Sequence, residues 1–230
     1  MTDSTPEAQA LDILQSRAST YAFLSVVYRQ EAPIPMLGQI ADQLAGAAEE
    51  AESEGQRTLR EYVASMDRSD MESVRTELAA EYAALFLNAG PSPVYVYESV
   101  YTNPEHLVMQ KARDEVLGEY RKEGLDRISE FHEPEDHIAI ELEFMGYLCQ
   151  KAAEALEAGD AQGAVRYLDK QDHFLHKHLL VWVPEFCAGV LQNAQTGFYR
   201  GIGQLTDELL KLEDETITEL IEALSHLSEG

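Results

Sequence analysis

The stretch that decides the fold is Glu133-Pro134-Glu135-Asp136-His137, followed by the run Ile138-Ala139-Ile140-Glu141-Leu142-Glu143-Phe144-Met145. Four ionisable side chains precede a largely apolar run, a pattern that predicts the start of a buried helix. With Pro134 in the first turn, the preceding and following acids crowd the helix N-terminus, where the helix dipole stabilises each negative charge by ~0.3–1 kcal/mol. His137 and Glu141 are four residues apart, so we expect them on one face of this helix.

Two interpretations of this motif stay open. In the structural one, the acids only cap the helix and His137 forms a brace with Glu141. In the functional one, the acids bind a cationic partner, because guanidinium and carboxylate groups form strong bidentate hydrogen bonds.

The rest of the chain also shows apolar residues at helical spacing, and no convincing pair of strands is present. Helix starts are predicted at Thr5-Pro6, at a capping box of Ser69 with Glu72, at Asn103-Pro104, after Gly159-Asp160 and at Pro184. Buried stripes are predicted for two helices, at Leu11, Leu14, Ala18, Tyr21, Leu24 and Tyr28 and at Val74, Leu78, Tyr82 and Leu85. The predicted fold class is therefore all-α: one compact multi-helix domain over residues 1–230, with a mobile C-terminal part of one or two amphipathic helices at about 199–228.

One connection, residues 88–103, lacks a helical signal and contains Pro91, Pro93, Tyr95, Tyr97 and Tyr101. Loops of this length inside compact domains are generally functional or disordered, and the aromatic content argues against disorder. The loop either covers the core as a strap or forms the apolar wall of a peptide groove, for which tyrosine is suited.

The composition excludes several classes of partner. A net charge of −25 over 230 residues repels nucleic-acid phosphates and anionic lipid, whereas it attracts a basic peptide. Adaptation to high cytoplasmic salt is an alternative explanation of this acidity. No apolar run is long enough for a membrane span and the acidic Met1-Thr2-Asp3-Ser4 resembles no leader, so we expect a cytoplasmic protein. Cys149 and Cys187 are expected to be reduced core thiols.

Three segments carry a resemblance to a known family. The first is Glu81-Tyr82-Ala83-Ala84-Leu85-Phe86-Leu87-Asn88-Ala89-Gly90-Pro91, continuing to Tyr97-Glu98-Ser99-Val100-Tyr101, and the second is the motif at 133–137. The third runs from His173-Phe174-Leu175 through His178-Leu179 to Trp182, Pro184 and Phe186. Together, over roughly residues 10 to 190, they resemble the TorD/DmsD family of redox-enzyme maturation chaperones. The resemblance implies an all-helical cytoplasmic protein that holds the twin-arginine signal peptide or N-terminus of a molybdenum-containing oxidoreductase until its cofactor is loaded.

The resemblance also implies a peptide-binding region. It assigns the Asp136-His137 pair to signal-peptide binding, and Tyr97 stands where relatives often have proline and tryptophan. Gly90-Pro91 is expected to act as a hinge that turns the loop away from the preceding helix. The apolar part of the peptide is expected to pack on a wall formed by Leu85, Phe86 and the tyrosines of the loop, while its arginines face the carboxylates near Asp136. The predicted peptide-binding residues are Tyr82, Leu85, Phe86, Gly90, Pro91, Tyr97, Glu98, Ser99, Tyr101, Glu133, Pro134, Asp136, His137 and Glu141.

Enzymatic patterns are not evident in this sequence. His132 and His137 are five residues apart with Pro134 between them, which does not match a zinc-protease helix. His173, His176 and His178 do not share one helix face, so no metal site and no cofactor is predicted. The predicted function is that of a chaperone, monomeric or homodimeric, for a molybdopterin oxidoreductase precursor. The alternative is a helical assembly factor or adaptor that binds a folded or leaderless oxidoreductase subunit.

Overall fold

The computed structural model describes residues 5–46, 53–125 and 131–227. The expectations for Met1-Thr2-Asp3-Ser4 and for residue 228 lie outside these ranges. The helices are α1 Pro6–Arg29, α2 Ile34–Gly46, α3 Glu54–Ser65, α4 Met71–Phe86, α5 Glu98–Thr102, α6 Lys111–Lys122, α7 Ile138–Glu157, α8 Ala161–Phe174, α9 Leu180–Asn193 and α10 Gly197–Leu227, with a π-helical turn at Leu175–Leu179. The described residues contain no β-strand, only an isolated antiparallel bridge between Tyr97 and His137. The all-α prediction is confirmed.

The chain packs into two compact units. The first unit consists of Met1–Val26, Tyr97–Trp182 and Leu210–Gly230. The second unit consists of Val27–Val96 and Val183–Leu209. Helices α1, α9 and α10 contribute residues to both units. The single domain expected over residues 1–230 stays a prediction.

The first unit is built on the antiparallel pair α7 and α8, with α1 lying close to α7. A side chain at Gly146 would place its Cβ 3.3 Å from the Cβ of Tyr21, so the glycine permits this close packing. The Ser25 hydroxyl donates to the Ala139 carbonyl across the same contact at 2.6 Å. Cys149 is fully buried here and carries a free thiol, as expected, and burial raises its pKa to about 12.

The second unit has an aromatic core. The Tyr28 ring packs edge-on against the rings of Phe86 and Phe186, with centroid distances of 5.8 and 5.2 Å, and Phe86 packs against Tyr199 at 5.7 Å. Such edge-to-face pairs each stabilise a core by ~0.5–1.5 kcal/mol beyond the burial of their area. Cys187 is buried in this unit as a reduced cysteine outside any disulfide, as expected.

Several predicted helix ends are confirmed. Helix α1 begins at Pro6, and the Thr5 hydroxyl accepts a hydrogen bond from the Ala8 amide at 3.3 Å. Gly159 ends α7 with a φ of +76°, and the Asp160 carboxylate caps α8 by accepting from the Gly163 amide at 2.7 Å. Left-handed backbone favours glycine, and aspartate is a strong N-cap residue.

The predicted capping box of Ser69 with Glu72 is wrong. Asp70 caps α4 by accepting from the Ser73 amide at 3.1 Å, whereas the Ser69 hydroxyl donates to the Asp67 carboxylate. The carboxylate at Asp70 lies directly before the first helical residue, so it displaces the serine as the acceptor.

Three other boundaries differ from prediction. Asn103-Pro104 begins a turn in which the Asn103 side chain accepts from the Glu105 amide, and the next helix starts only at Lys111. Pro184 lies inside α9 rather than at its start, following the π-helical turn. The loop predicted over 88–103 contains the five-residue helix α5. The C-terminal region is helical, as predicted, and forms one helix of 31 residues. None of the described helices is long and apolar enough to cross a membrane.

Candidate functional site

The predicted site residues of the first unit come together where the loop 133–137 meets the start of α5. The backbones of Tyr97 and His137 form the β-bridge. The Glu98 amide donates to the Asp136 carbonyl at 2.9 Å, and the Ser99 amide donates to the Asp136 carboxylate at the same distance. Two segments separated by more than thirty residues in sequence are therefore joined through backbone groups.

His137 is the N-cap of α7 and does not form the predicted helical brace with Glu141. Its backbone is extended, with φ −77° and ψ 136°, and its Nδ1 accepts from the Ala139 amide at 3.0 Å. Because α7 begins at Ile138, Pro134 lies before its first turn, and His137 joins the helix only through its carbonyl, which accepts from the Glu141 amide at 3.0 Å.

A buried carboxylate cluster lies beneath this junction, formed by Glu98, Asp136, Glu141, His178 and Trp182. Each of these side chains is at most 5% exposed. His178 Nδ1 is 2.8 Å from the Glu98 carboxylate, and the Trp182 indole donates to the Glu141 carboxylate at 3.0 Å. One oxygen each of Asp136 and Glu141 has no hydrogen-bond partner among the described residues.

Two carboxyl groups of the cluster, Glu141 and Asp136, hold protons more tightly than exposed carboxylates do. Burial raises the pKa of Glu141 well above its usual range, and the nearby charges of Glu98 and Asp136 raise it further. Burial also raises the pKa of Asp136, although hydrogen bonds from Ser99 oppose this shift. A protonated Glu141 can donate a hydrogen bond to Glu98, which keeps two adjacent carboxyl groups compatible in a buried site.

Glu141 binds its proton more tightly in the folded state, so we expect its contribution to the free energy of unfolding to be lost as the pH rises from the ordinary glutamate pKa of about 4.5 through its raised pKa in the folded protein. Glu141→Gln, which keeps an acceptor for Trp182, should flatten this dependence toward alkaline pH. Urea unfolding followed by circular dichroism at several pH values measures the effect. A variant with the same pH slope as the parent protein would contradict the assignment.

The solvent-facing side of the junction consists of half-buried tyrosines and the start of the loop. The Tyr97 hydroxyl donates to the Glu133 carboxylate at 2.6 Å, and the Tyr97 ring packs edge-on against His137. Pro134 is half-buried next to Glu133, and Tyr101 packs on the ring of Trp182 with a centroid distance of 5.3 Å. These side chains can touch a ligand, whereas the buried carboxylates position the backbone behind them.

An exposed apolar segment, Leu107-Val108-Met109, follows α5. The three side chains are 49%, 45% and 61% exposed. Hydrogen bonds on both sides tie the segment to α5: His106 Nδ1 contacts the Val100 carbonyl at 2.8 Å, and the Gln110 amide donates to the Ser99 hydroxyl at 3.1 Å. Sequence reasoning missed this segment, although three consecutive apolar residues in a predicted helix start were a visible signal.

The remaining predicted site residues lie in the second unit. Tyr82, Leu85 and Phe86 are buried in its core, so the apolar wall that we expected from Leu85 and Phe86 faces inward. Gly90 lies so close to α4 that a Cβ there would be 2.7 Å from the Ala84 carbonyl oxygen. Pro91 is exposed. A binding role for these residues stays a prediction.

His178 and Trp182 were not among the predicted site residues, although both belong to the third segment of the family resemblance. The three neighbouring histidines do not converge. His178 joins the buried cluster, His173 faces Glu119 at 3.5 Å, and His176 faces Asp172 and Asp214. Of the residues that the structure describes, Asp172, His176 and Asp214 place potential ligand atoms within 4.8 Å of one another, on the surface.

The helical architecture has a counterpart among solved structures. It matches the crystal structure of a redox enzyme maturation protein from Archaeoglobus fulgidus with a TM-score of 0.52 and 20% identity, over 85% of this chain and 93% of that one. Residues 43–188 match the family model described as nitrate reductase delta subunit. The chain belongs to this family, and the resemblance to the TorD/DmsD chaperones is confirmed.

One relative, from Vibrio cholerae, extends the match over most of the chain. The chain is 28% identical to the chaperone protein TorD of Vibrio cholerae over 221 residues, which is 93% of this chain and 98% of that protein. It is 33% identical to the chaperone protein TorD of Photobacterium profundum over 128 residues, which is 56% of this chain and 58% of that protein.

Proposed function

We propose that this chain is a chaperone for the maturation of a molybdenum-containing oxidoreductase, and that it binds the twin-arginine signal peptide or the N-terminus of the precursor until the cofactor is loaded. Family membership and the relatives named chaperone protein TorD support the chaperone role. The observation that carries the binding role is the carboxylate of Glu133, held by Tyr97 on the accessible side of the junction.

The accessible side of the junction between the loop 133–137 and α5 has groups that can bind an arginine side chain. A carboxylate has about four lone-pair sites, so Glu133 can accept from a guanidinium while it still accepts from the Tyr97 hydroxyl. The rings of Tyr97 and Tyr101 offer faces for cation–π contact, which stabilises a bound cation by ~0.5–1 kcal/mol at exposed sites. The net charge of −25 adds a long-range attraction for basic peptides.

The apolar part of the peptide packs on Leu107-Val108-Met109. This assignment replaces the wall expected from Leu85 and Phe86, whose side chains are buried. Both the apolar segment and the Tyr97–Glu133 pair are attached to α5, so one short helix carries the contacts for the two chemically distinct parts of a leader. The protein holds its client by these contacts, and no covalent step is involved.

Glu133→Gln should weaken the binding of a fluorescently labelled twin-arginine leader by about 1.5–3 kcal/mol, or roughly ten- to hundredfold in Kd, because a hydrogen bond to a charged group is lost. The amide keeps an acceptor for Tyr97, so the far-UV circular dichroism spectrum should not change. Fluorescence anisotropy measures Kd.

The matched control is Glu219→Gln, which removes the same charge from an exposed position on α10. It should leave Kd within about twofold, since only long-range attraction is reduced and screening in salt limits that effect. Equal Kd values for the Glu133 variant and the parent protein, or equal weakening in both variants, would contradict a specific role for Glu133.

A further inference from the structure

Asp172, His176 and Asp214 form a surface cluster in the first unit, between the end of α8 and α10. Asp172 lies in the last turn of α8, His176 in the π-helical turn that follows, and Asp214 on α10. One potential ligand atom from each residue lies within 4.8 Å of the other two. Asp172 is half-buried, whereas His176 and Asp214 are exposed, so a small ion can reach the cluster from solvent.

The surroundings of His176 determine which of its ring nitrogens can bind an ion. Nδ1 lies 3.0 Å from the Asp172 carbonyl oxygen and 3.2 Å from a carboxylate oxygen of the same residue. Both oxygens only accept hydrogen bonds, so Nδ1 carries the ring hydrogen. In the neutral ring Nε2 then keeps a lone pair, and Nε2 lies 3.4 Å from the Asp214 carboxylate. Metal-binding histidines almost always donate their other ring N–H to a carbonyl or carboxylate in this way.

The contact between His176 Nε2 and Asp214 requires a positive charge. A lone pair and a carboxylate oxygen repel each other unless a proton or a metal ion lies between them. A proton would set one positive charge against two carboxylates, because Asp172 and Asp214 share this imidazole as a salt-bridge partner. The cluster would then stay negative in a chain whose net charge is already −25. A divalent cation balances both carboxylates and leaves the imidazole neutral.

The donor atoms of the cluster indicate the chemical class of the cation. Imidazole favours zinc and neighbouring transition metals, whereas Mg²⁺ and Ca²⁺ prefer sites built of oxygen atoms alone. Zn²⁺ is commonly held by three protein ligands from histidine and carboxylates, with water in the fourth position. Ligand atoms around a tetrahedral Zn²⁺ lie roughly 3.3 Å apart, so side-chain rotation must close the separation of up to 4.8 Å by about 1.5 Å.

We infer that Asp172, His176 and Asp214 bind a Zn²⁺ ion, which connects the π-helical turn after α8 to α10. His176 supplies Nε2, each aspartate supplies a carboxylate oxygen, and water completes the coordination. No metal site was predicted from the three neighbouring histidines, because the partner of His176 lies on α10, far along the chain. The site shares no residue with the contacts proposed for a leader peptide and does not depend on them.

Isothermal titration calorimetry of the full-length protein with ZnCl₂ tests the inference, with MgCl₂ in large excess to occupy the general cation sites of an acidic surface. We expect saturable binding of one Zn²⁺ per chain. Zn²⁺ should also shift the imidazole signals of His176 in ¹H–¹⁵N NMR spectra and leave those of His173 unchanged. If the His176 signals respond to pH but not to Zn²⁺, a proton lies between this ring and Asp214, and the inference is wrong.

Two variants assign the ion to this cluster. His176→Gln and Asp214→Asn each remove one ligand, and each should weaken Zn²⁺ binding by at least roughly tenfold. His173→Gln is the matched control, because it removes a neighbouring exposed histidine that faces Glu119 instead. It should leave the affinity for Zn²⁺ unchanged. All three substitutions are at exposed positions, so far-UV circular dichroism should match that of the parent protein.

Three results would overturn the inference. They are the absence of saturable Zn²⁺ binding, an unchanged affinity in His176→Gln, and an equal loss of affinity in His176→Gln and His173→Gln.

Discussion

Replacing Glu213 with leucine should lower the free energy of unfolding by about 3–5 kcal/mol, because the change leaves the charge of Arg17 buried without its partner. Arg17 Nε donates to the Glu213 carboxylate at 2.9 Å, a second guanidinium nitrogen contacts the other oxygen, and the Tyr21 hydroxyl donates to it at 2.7 Å. Arg17 is 6% exposed and Glu213 1%. Urea denaturation monitored by circular dichroism measures the loss.

The double variant Arg17→Met with Glu213→Leu provides the control. Replacing both charges by apolar groups of similar size removes the unpaired charge, so this variant should regain most of the lost stability. A single Glu213→Leu variant that loses less than about 1 kcal/mol would show that the pair behaves like a solvent-exposed salt bridge.

The second large effect is expected for His178→Leu in the buried carboxylate cluster. His178 contacts Glu98, and both side chains are almost completely buried. Without the imidazole, the buried Glu98 carboxylate loses the partner that lies against it, and we expect destabilisation of about 3–5 kcal/mol. The same denaturation experiment measures it.

Glu98→Gln combined with His178→Leu is the matched control, since a neutral amide next to leucine leaves no unpaired charge. This double variant should be more stable than His178→Leu alone. If the second substitution lowered stability further, the two side chains would be contributing independently, and the interaction assigned to them would be wrong.

The all-α fold could be predicted because its signals are local. Thr5-Pro6 and Gly159-Asp160 mark helix ends through their own backbone and cap chemistry, and both were confirmed. The errors arose where two local signals compete or where a helix is very short. Ser69 and Asp70 are both good caps, and α5 has only five residues.

The candidate site was less predictable, because its contacts join distant segments. The motif at 133–137 and the segment at 97–101 were identified separately, but nothing in either sequence shows that Asp136 accepts from the backbone of α5. Nor does the sequence show that His178 lies against Glu98, eighty residues away in the chain. The sequence also does not show how far Leu85 and Phe86 are buried: they continue the apolar stripe of α4, and both side chains lie in the core.

The most direct test of the proposed function is a calorimetric titration of the purified protein with twin-arginine leader peptides from the molybdoenzymes of the same genome. It should be done at low and at molar salt, since screening weakens the general attraction of a chain with net charge −25 for basic peptides. The proposal predicts saturable binding of one leader that persists in molar salt, with weaker binding when its two arginines are replaced by lysine. No binding of any leader by the folded protein would contradict it and favour an adaptor that recognises a mature subunit.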